Sequence, residues 1–263
     1  MNFPIYQVDA FTDRAFGGNP AAVVIVHEWL DDQTLQFIAA ENNLAETAFV
    51  IPDAQCSKLR WFTPLMEVDL CGHATLATAH VLFKEHYPEQ ADLRFETKSG
   101  ILAVRRQDGL LFLDFPSRPG QPVTIDESLV KALGTTPTTA VLARDLMVVL
   151  ENEAAVRAFA PDYPAIEHLD AFALIVTSRG EDVDFVSRFF APRAGVPEDP
   201  VTGSAHCTLT PYWANRLGKS RLSARQLSKR QGELTCELRG DRVLIGGKVV
   251  EYMKGEIYVG AAS

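Results

Sequence analysis

The sequence carries one order of features twice, and this internal repeat constrains the fold more than any other feature. In the first half, Phe-Thr-Pro at residues 62–64 precedes Cys-Gly-His-Ala-Thr at residues 71–75 and an apolar helical stretch. In the second half, Phe-Ala-Pro at residues 190–192 precedes Pro-Val-Thr-Gly-Ser at residues 200–204 and another helical stretch that ends near Gly218. The repeat predicts one structural unit in each half. A chance match between short motifs is the alternative.

A Pro/Gly-rich segment at residues 116–122 is the best domain boundary, because few contacts cross such linkers. It predicts an N-terminal domain over residues 1–117 and a C-terminal domain over residues 118–250. Alternating and periodic apolar residues predict mixed α/β structure in both. Before the boundary we expect strands near residues 5–11, 22–26, 47–51, 59–63, 92–97, 101–106 and 110–115, a helix capped by Asp31 or Asp32, and a helix over residues 74–83. After it we expect helices over residues 128–133 and 153–159 and strands near residues 140–143, 146–150, 171–177 and 184–190.

The composition favours a protein that binds small molecules. Its 263 residues are 47% hydrophobic, enough for a substantial core. The net charge is −9 without a block of Lys and Arg, which argues against a nucleic-acid partner. Apolar runs fall short of the roughly 20 residues of a membrane helix, and the first residues lack the pattern of a signal peptide. We therefore expect a cytoplasmic protein with no membrane partner.

The four cysteines show neither a CxxC pair nor the close pairing of structural zinc sites, so we expect reduced thiols. The sequence also lacks a nucleophile elbow, a dinucleotide-binding fingerprint and a P-loop. The histidines at positions 73, 80 and 206 have no recognised metal-ligand spacing. We expect no metal site.

Both repeated motifs place small and hydroxyl residues directly before an apolar helix, whose first-turn amides have no intrahelical partner. Such helix starts attract anions. If the halves are related by a pseudo-twofold axis, both starts could face one cleft and hold a carboxylate or an enolate-like intermediate. The alternative is that Thr75, Thr202 and Ser204 only cap their helices.

Three residues are candidates for proton transfer. Glu46 is flanked by apolar residues at a helix-to-strand junction, where a carboxylate could carry a proton near neutral pH. His73 lies where a helix begins, and Asp199 lies just before the matching place in the second half, so the three could form a relay. A partly exposed Glu, a satisfied His and a capping Asp are the ordinary alternatives. Cys71 is either a thiolate base activated by the helix start or a small buried hydrophobe.

The motifs that carry these candidates resemble, in chain order, those of the phenazine-biosynthesis PhzF-like proteins. The similar stretches span nearly the whole chain: Asp-Ala-Phe-Thr at residues 9–12, Gly-Asn-Pro-Ala at 18–21, Asn-Leu-Ala-Glu-Thr-Ala-Phe at 43–49, Phe-Thr-Pro at 62–64, Asp-Leu-Cys-Gly-His-Ala-Thr at 69–75 and Glu-Asp-Pro-Val-Thr-Gly-Ser at 198–204. The resemblance implies the diaminopimelate-epimerase-like fold, an α/β (α+β) architecture. Its two pseudo-symmetric domains each have a mixed curled sheet around a central helix, with the active site in the cleft between them.

The resemblance also implies that the chain after about residue 251 returns to the first domain, that the protein is a homodimer, and that catalysis needs neither metal nor organic cofactor. Glu46 matches the family's general acid/base, and His73, Asp199 and Ser204 match the polar residues around the substrate. The amides near Gly72, Gly203 and Ser204 match its anion-binding helix ends. The type reaction is isomerisation of a dihydro-hydroxyanthranilate, but that substrate does not transfer with the motif.

Two departures from the pattern bear on function. Epimerases of this fold use two cysteines, and here Pro200 stands where the second thiol belongs, so Cys207 would have to point back to replace it. Residues 233–236 read Glu-Leu-Thr-Cys rather than Gly-Arg-Pro, which puts a substrate contact from that segment in doubt. The predicted function is a cofactor-independent isomerase acting on a small anionic metabolite. An epimerase or racemase that pairs Cys71 with another group, and a non-catalytic metabolite-binding protein, are the alternatives.

Overall fold

The computed structural model describes residues 1–260, which form eighteen strands, six α-helices and two 3-10 helices. The strands are β1 (Asn2–Ala10), β2 (Asn19–Ile25), β3 (Glu46–Ile51), β4 (Ser57–Phe62), β5 (Glu67–Val68), β6 (Asp92–Thr97), β7 (Gly100–Gln107), β8 (Leu110–Pro116), β9 (Gln121–Pro122), β10 (Thr139–Leu142), β11 (Leu146–Val149), β12 (Leu174–Arg179), β13 (Phe185–Ala191), β14 (Val196–Asp199), β15 (Arg221–Gln226), β16 (Gly232–Arg239), β17 (Arg242–Gly247) and β18 (Val249–Tyr258). The helices are α1 (Asp32–Asn42), α2 (Gly72–Glu85), α3 (Glu127–Leu133), α4 (Glu153–Ala158), α5 (Tyr163–Glu167) and α6 (His206–Leu217), with 3-10 turns at Pro192–Ala194 and Gly203–Ala205.

The chain divides into two compact units. The first contains Met1–Asp114 and the chain from Gly246 onward, and the second contains Phe115–Ile245. Strand β18 belongs to the first unit because it pairs along its whole length with β1, from Asn2 opposite Tyr258 to Ala10 opposite Val249.

The two units repeat one strand topology. In the first, β1 is antiparallel to β2, β2 parallel to β3, β3 antiparallel to β4, β4 parallel to β6, and β6 antiparallel to β7. In the second, the same sequence of pairings joins β10, β11, β12, β13, β15 and β16. Each parallel pair is connected by a crossover that contains a helix, as parallel strands require. This shared order confirms the mixed sheets and the internal repeat.

The helix that follows each repeated motif is buried along most of its length. In α2, small and apolar residues such as Ala74, Ala77 and Leu82 cover every side, which is typical of a helix enclosed by protein. It packs against β1, β2, β3, β7 and β18. In α6, Pro211 cannot donate to the carbonyl of Cys207, and the backbone N–H of Arg118 bonds that oxygen instead at 2.9 Å. The proline therefore leaves no unpaired carbonyl there.

Other helices cover the opposite sheet faces. Leu35 and Ala39 of α1 pack with Val24 and Phe49 in the first unit. In the second, α3, α4 and α5 contribute to a core that includes Leu129, Val156, Ile166, Leu174 and Val176. Across residues 1–260, the helices are too short or too polar to cross a membrane.

Most predicted elements are confirmed within a few residues, and the exceptions have local causes. Asp31, rather than Asp32, caps α1 by accepting from the Thr34 N–H at 2.9 Å. Strand β12 begins at Leu174, later than predicted, because the preceding segment turns and the N–H of Phe172 bonds to the carbonyl of Arg144. The five-residue helix α5, whose first turn carries a proline, is not among the elements predicted from the sequence.

Candidate active-site residues in the two units

Glu46 lies at the end of the first sheet where two parallel strands begin. Helix α1 ends at Asn43, which adopts the left-handed conformation with φ 48°, and β3 begins at Glu46. The parallel register pairs Glu46 with Ala21, two residues after Asn19 starts β2. Because parallel strands begin at the same edge, Glu46 and Asn19 lie at one end of the unit.

The first turn of α2 brings His73 to the same place. His73 Nε2 lies 3.1 Å from Glu46 Oε2, and the two side chains are only 6% and 17% exposed. The contact has the distance of an ion pair, but its angles fall outside hydrogen-bond geometry, so both atoms can still bond a further partner. The structure thus brings together two of the predicted site residues.

Asn19 contacts the ring nitrogen of His73 that faces away from Glu46. Asn19 Nδ2 lies 3.2 Å from His73 Nδ1, and the side-chain amide can donate to this nitrogen or accept from it according to the protonation of the ring. Gly18 makes this position of Asn19 possible, since its φ is 59° and a Cβ there would lie 2.0 Å from the carbonyl oxygen of Ala10.

Burial and neighbouring charge act in opposite directions on His73. Burial lowers the pKa of its imidazole, but the negative charge that Cys71 and Glu46 can carry outweighs burial and raises this pKa well above the ordinary value. Burial also raises the pKa of the Cys71 thiol, and Glu46 adds to that shift.

The same three residues are close enough to be considered as a metal site. Ligand atoms of Glu46, Cys71 and His73 lie within 4.8 Å of one another. However, Cys71 Sγ approaches His73 Nδ1 at 3.5 Å, whereas Glu46 approaches Nε2. A single ion binds one ring nitrogen, so this arrangement suits a proton-transfer pair better than a common ion.

In the second unit, Asp199 ends β14 and is held by the residue that starts the next helix. The Thr202 hydroxyl donates to Asp199 Oδ2 at 2.5 Å. Thr202 also accepts from Gln226 Nε2 at 3.2 Å. Sequence analysis considered Thr202 only as a helix cap and did not identify Gln226.

Ser204 contacts an arginine that sequence analysis also missed. Arg144 Nη2 donates to Ser204 Oγ at 3.3 Å. The guanidinium is oriented by the buried Asp145, whose two carboxylate oxygens accept from Nε and Nη2 at 3.0 and 3.1 Å, and it lies 4.6 Å above the ring of Phe172. Within the residues described, Arg144 Nη1 has no bonding partner, and 39% of the side chain is exposed.

The capping explanation for the repeated motifs is wrong. Thr75 donates to the carbonyl of Cys71 at 2.5 Å, one turn back, and Thr202 donates to Asp199. Over the described chain, neither Cys71 nor Thr202, the residues at the two N-cap positions, makes a side-chain capping bond. The first-turn amides, including those of predicted residues Gly72, Gly203 and Ser204, therefore remain without a side-chain cap. This is the condition for binding an anion at a helix start.

In the second unit, the position expected for a second catalytic thiol does not hold a cysteine. Pro200 stands at the expected position, and Cys207 lies buried in the first turn of α6. Burial raises the pKa of the Cys207 thiol to about 11. All four cysteines are free thiols. The arrangement argues against two-thiol racemisation.

The fold places the protein in a known structural class. It is the diaminopimelate-epimerase-like fold, with a mixed sheet and a central helix in each unit. A hydroxyproline epimerase from Agrobacterium vitis, whose structure contains trans-4-hydroxy-L-proline, shares this fold with a TM-score of 0.64 at 10% sequence identity, covering 97% of this chain and 92% of that chain.

Within this class, the chain belongs to the phenazine biosynthesis-like (PhzC-PhzF) family, whose family model matches residues 8–255. An uncharacterised isomerase of Pseudomonas aeruginosa is 50% identical over 259 residues, covering 98% of this chain and 100% of the relative. A PhzF-family protein from Enterococcus faecalis is 48% identical, with a TM-score of 0.96 over 98% of this chain and 100% of that chain. The family resemblance is confirmed, and the protein is an isomerase.

Proposed function

We propose that this isomerase moves a proton on a small carboxylate-bearing substrate without a cofactor, and that Glu46 is its general acid/base. The close contact between Glu46 Oε2 and His73 Nε2 carries the proposal. It puts a carboxylate and an imidazole with an upward-shifted pKa together in a largely water-excluded place. General acid/base catalysis requires such a positioned pair.

In the proposed reaction, the Glu46 carboxylate takes a proton from a substrate carbon, and the electron pair of that C–H bond moves into the carbon framework as an enolate-like system. Glu46 then returns the proton to another carbon, directly or through His73. Protonated His73 stabilises the carboxylate form of Glu46 before abstraction. Uncapped amides at the helix starts stabilise the negative charge that develops on oxygen.

The second unit is proposed to act in the same reaction by holding the substrate and tuning proton transfer. Arg144 and the Ser204 amide would bind the substrate carboxylate, because Arg144 has unused donors and a fixed orientation. Asp199 would complete the relay. That a relative of this fold binds trans-4-hydroxy-L-proline is consistent with a small carboxylate as the substrate.

Two matched variants test the proton carrier. Glu46→Gln keeps the size and hydrogen-bonding capacity of the side chain but removes the titratable group. Calorimetry should show that this variant still binds carboxylates. Its turnover should fall by at least about 10³- to 10⁴-fold, the upper part of the range for acid/base groups. The assay uses small carboxylates that include a dihydro-hydroxyanthranilate and proline-type amino acids.

Cys71→Ser is the control for the epimerase alternative. We expect nearly normal turnover, with a stability loss of about 1 kcal/mol from a changed packing residue. An active Glu46→Gln together with an inactive Cys71→Ser would transfer the catalytic role to the thiol and support an epimerase. Retained binding without turnover in the wild type would support a metabolite-binding protein instead.

Independence from metals and cofactors is part of the proposal. After dialysis against a chelator, the enzyme should keep its activity without any added cofactor, because proton transfer between Glu46 and His73 needs none. Activity lost on chelation and restored by one specific metal would contradict this. A homodimer and a cytoplasmic location stay predictions, and light scattering at twice the chain mass of 29.0 kDa would confirm the dimer.

A further inference from the structure

The segment between β14 and α6 is fixed by one buried glutamine. Gln226 is the last residue of β15, pairs with Ser187 and Gly232 in the neighbouring strands, and is fully buried. Its backbone is therefore part of the sheet. Its side chain is not needed for that pairing and reaches the segment 199–202.

The Gln226 amide directs three hydrogen bonds to this segment. Oε1 accepts from the Thr202 N–H at 2.9 Å, and Nε2 donates to the Asp199 carbonyl at 2.8 Å and to Thr202 Oγ1 at 3.2 Å. An amide offers two N–H donors and a carbonyl acceptor, so all of its groups act on two residues. A buried amide that lost these partners would carry a desolvation cost, which keeps the arrangement in place.

These bonds determine the direction of the Thr202 hydroxyl. Because Oγ1 accepts from Gln226, its own proton points elsewhere, and it is donated to Asp199 Oδ2 at 2.5 Å. The remaining polar atom of Thr202, its carbonyl oxygen, lies 2.9 Å from His206 Nδ1. Burial lowers the pKa of His206 to about 4, so the ring is neutral and Nδ1–H donates to that carbonyl. Every polar atom of Thr202 is thus held.

We propose that Gln226 is a positioning residue of the active site, which acts through Thr202 to orient the Asp199 carboxylate and the helix start at Gly203. It does not touch the substrate. The Thr202 hydroxyl bonds Asp199 Oδ2 and so fixes the orientation of the carboxylate. This inference rests on the proposed function, in which Asp199 takes part in the relay.

Three variants test the proposal through kcat and KM on whichever carboxylate the wild type converts. Gln226→Glu preserves volume but replaces the two donors by an acceptor, which draws the Thr202 hydroxyl proton away from Asp199. Thr202→Val removes that hydroxyl and keeps the side-chain shape. We expect both to lower kcat by roughly 10- to 100-fold, since a misplacement of about 1 Å can cost 10²-fold, and to raise KM as well, because the helix start at Gly203 that holds the carboxylate shifts with Asp199. Thr202→Ser retains the hydroxyl and should keep kcat within about threefold of wild type.

Thr177→Val is the matched control. Thr177 is a fully buried threonine of the same unit whose hydroxyl donates to the Val186 carbonyl and accepts from Trp213 Nε1. It should lose stability like Thr202→Val but keep its kcat. If Gln226→Glu and Thr202→Val fold and turn over like this control, or if Thr202→Ser is as slow as Thr202→Val, the positioning role is overturned.

Crystal structures separate this inference from the proposed function. In Gln226→Glu, the Asp199 carboxylate and the backbone at Gly203 should move by about 1 Å or more, whereas in Thr177→Val they should stay in place. An unmoved segment in Gln226→Glu overturns the inference even if the enzyme is active. A moved segment supports it even if the wild type converts none of the carboxylates, a result that would count only against the proposed function.

Discussion

The two units share one scaffold but carry different chemistry at corresponding places. In the first, the residue that starts β2, Asn19, bonds to His73 in the first turn of α2, and His73 contacts Glu46. In the second, Arg144, two residues before β11, bonds to Ser204 in the 3-10 turn before α6. In the first unit, the uncharged amide of Asn19 contacts the pair of His73 and Glu46. In the second, the cationic guanidinium of Arg144 donates to the hydroxyl of Ser204. Under the proposed function, a repeated fold would keep its geometry while one copy specialises in proton transfer and the other in holding an anion.

His73 at the start of α2 and His206 at the start of α6 also differ between the two units, in the direction in which their pKa is shifted. His73 is next to Cys71 and Glu46, whose negative charge raises its pKa well above the ordinary value despite burial. His206 is enclosed without a charged partner, and burial lowers its pKa to about 4. Neighbouring charge, rather than burial alone, decides whether a buried imidazole is protonated near neutral pH.

The largest effect expected from this contrast is on catalysis. His73→Gln removes the imidazole that stabilises and relays for Glu46, and should lower kcat by about 10²- to 10³-fold, within the range of acid/base contributions. Steady-state kinetics on a converted carboxylate measures this. His80→Gln, on the same helix one heptad later, is the control and should stay near wild type. If kcat fell equally in His73→Gln and His80→Gln, the loss would reflect a general effect on α2. The contrast between the two units would then not hold.

Arg144→Gln tests the anion-holding role of the second unit. A hydrogen bond to a charged group contributes about 1.5–3 kcal/mol, so losing one should raise KM for a carboxylate by roughly 10- to 100-fold. The change in kcat should be small, because the interaction exists before and during proton transfer. Arg225→Gln, which loses only a pair with the exposed Glu233, is the control. A fall in kcat at constant KM would assign Arg144 to the chemical step.

The smallest expected effect is on the pH dependence of the free energy of unfolding. The direction of this dependence follows from the lowered pKa of His206. Because the unfolded chain takes up this proton near pH 6.5 and the folded protein only near pH 4, stability falls as the pH drops between these values. The loss is about 3 kcal/mol in total, or about 2 kcal/mol from pH 6.5 to 5. Urea unfolding should show the stability gap between wild type and His206→Asn narrowing by that amount from pH 7 to 5. A constant gap would mean that His206 is protonated in the folded state.

His73 should act in the opposite direction. Its folded pKa is raised, so its contribution to stability is fully present below pH 6.5 and is lost as the pH rises through the folded pKa. Wild type should therefore lose stability relative to His73→Gln above neutral pH. Unfolding curves at pH 6 and 9 check the sign.

Much of the fold could be predicted because local patterns and tertiary structure agree. Asp31 before the apolar face of α1, and Gly134 after α3, have the residue types that helix ends require. The repeated motifs gave the two central helices. The start of β12 could not be predicted, because Ala171 and Phe172 are apolar and their turn depends on a bond from the Phe172 N–H to the carbonyl of Arg144, which lies between β10 and β11.

The candidate site was predictable only where a motif carried it. Glu46, His73 and Asp199 lie in distinctive stretches. The parallel register of β2 and β3 brings Glu46 to the same end as Asn19, and the first turn of α2 adds His73 there. Gln226 and Arg144 have no such signal, since a glutamine at a strand end and an arginine before a strand are common. Their roles arise from contacts with residues 24 and 60 positions away, which no local pattern encodes.

The central claim is that Glu46 carries the proton, and solvent-deuterium incorporation tests it most directly. Wild type and Cys71→Ser, incubated in deuterated water with a converted carboxylate, should both place deuterium at the carbon that gains a proton, as read by NMR of the product. Glu46→Gln should bind the same substrate but incorporate at least about 10³-fold more slowly. Incorporation by Glu46→Gln at the wild-type rate, with loss in Cys71→Ser, would contradict the account.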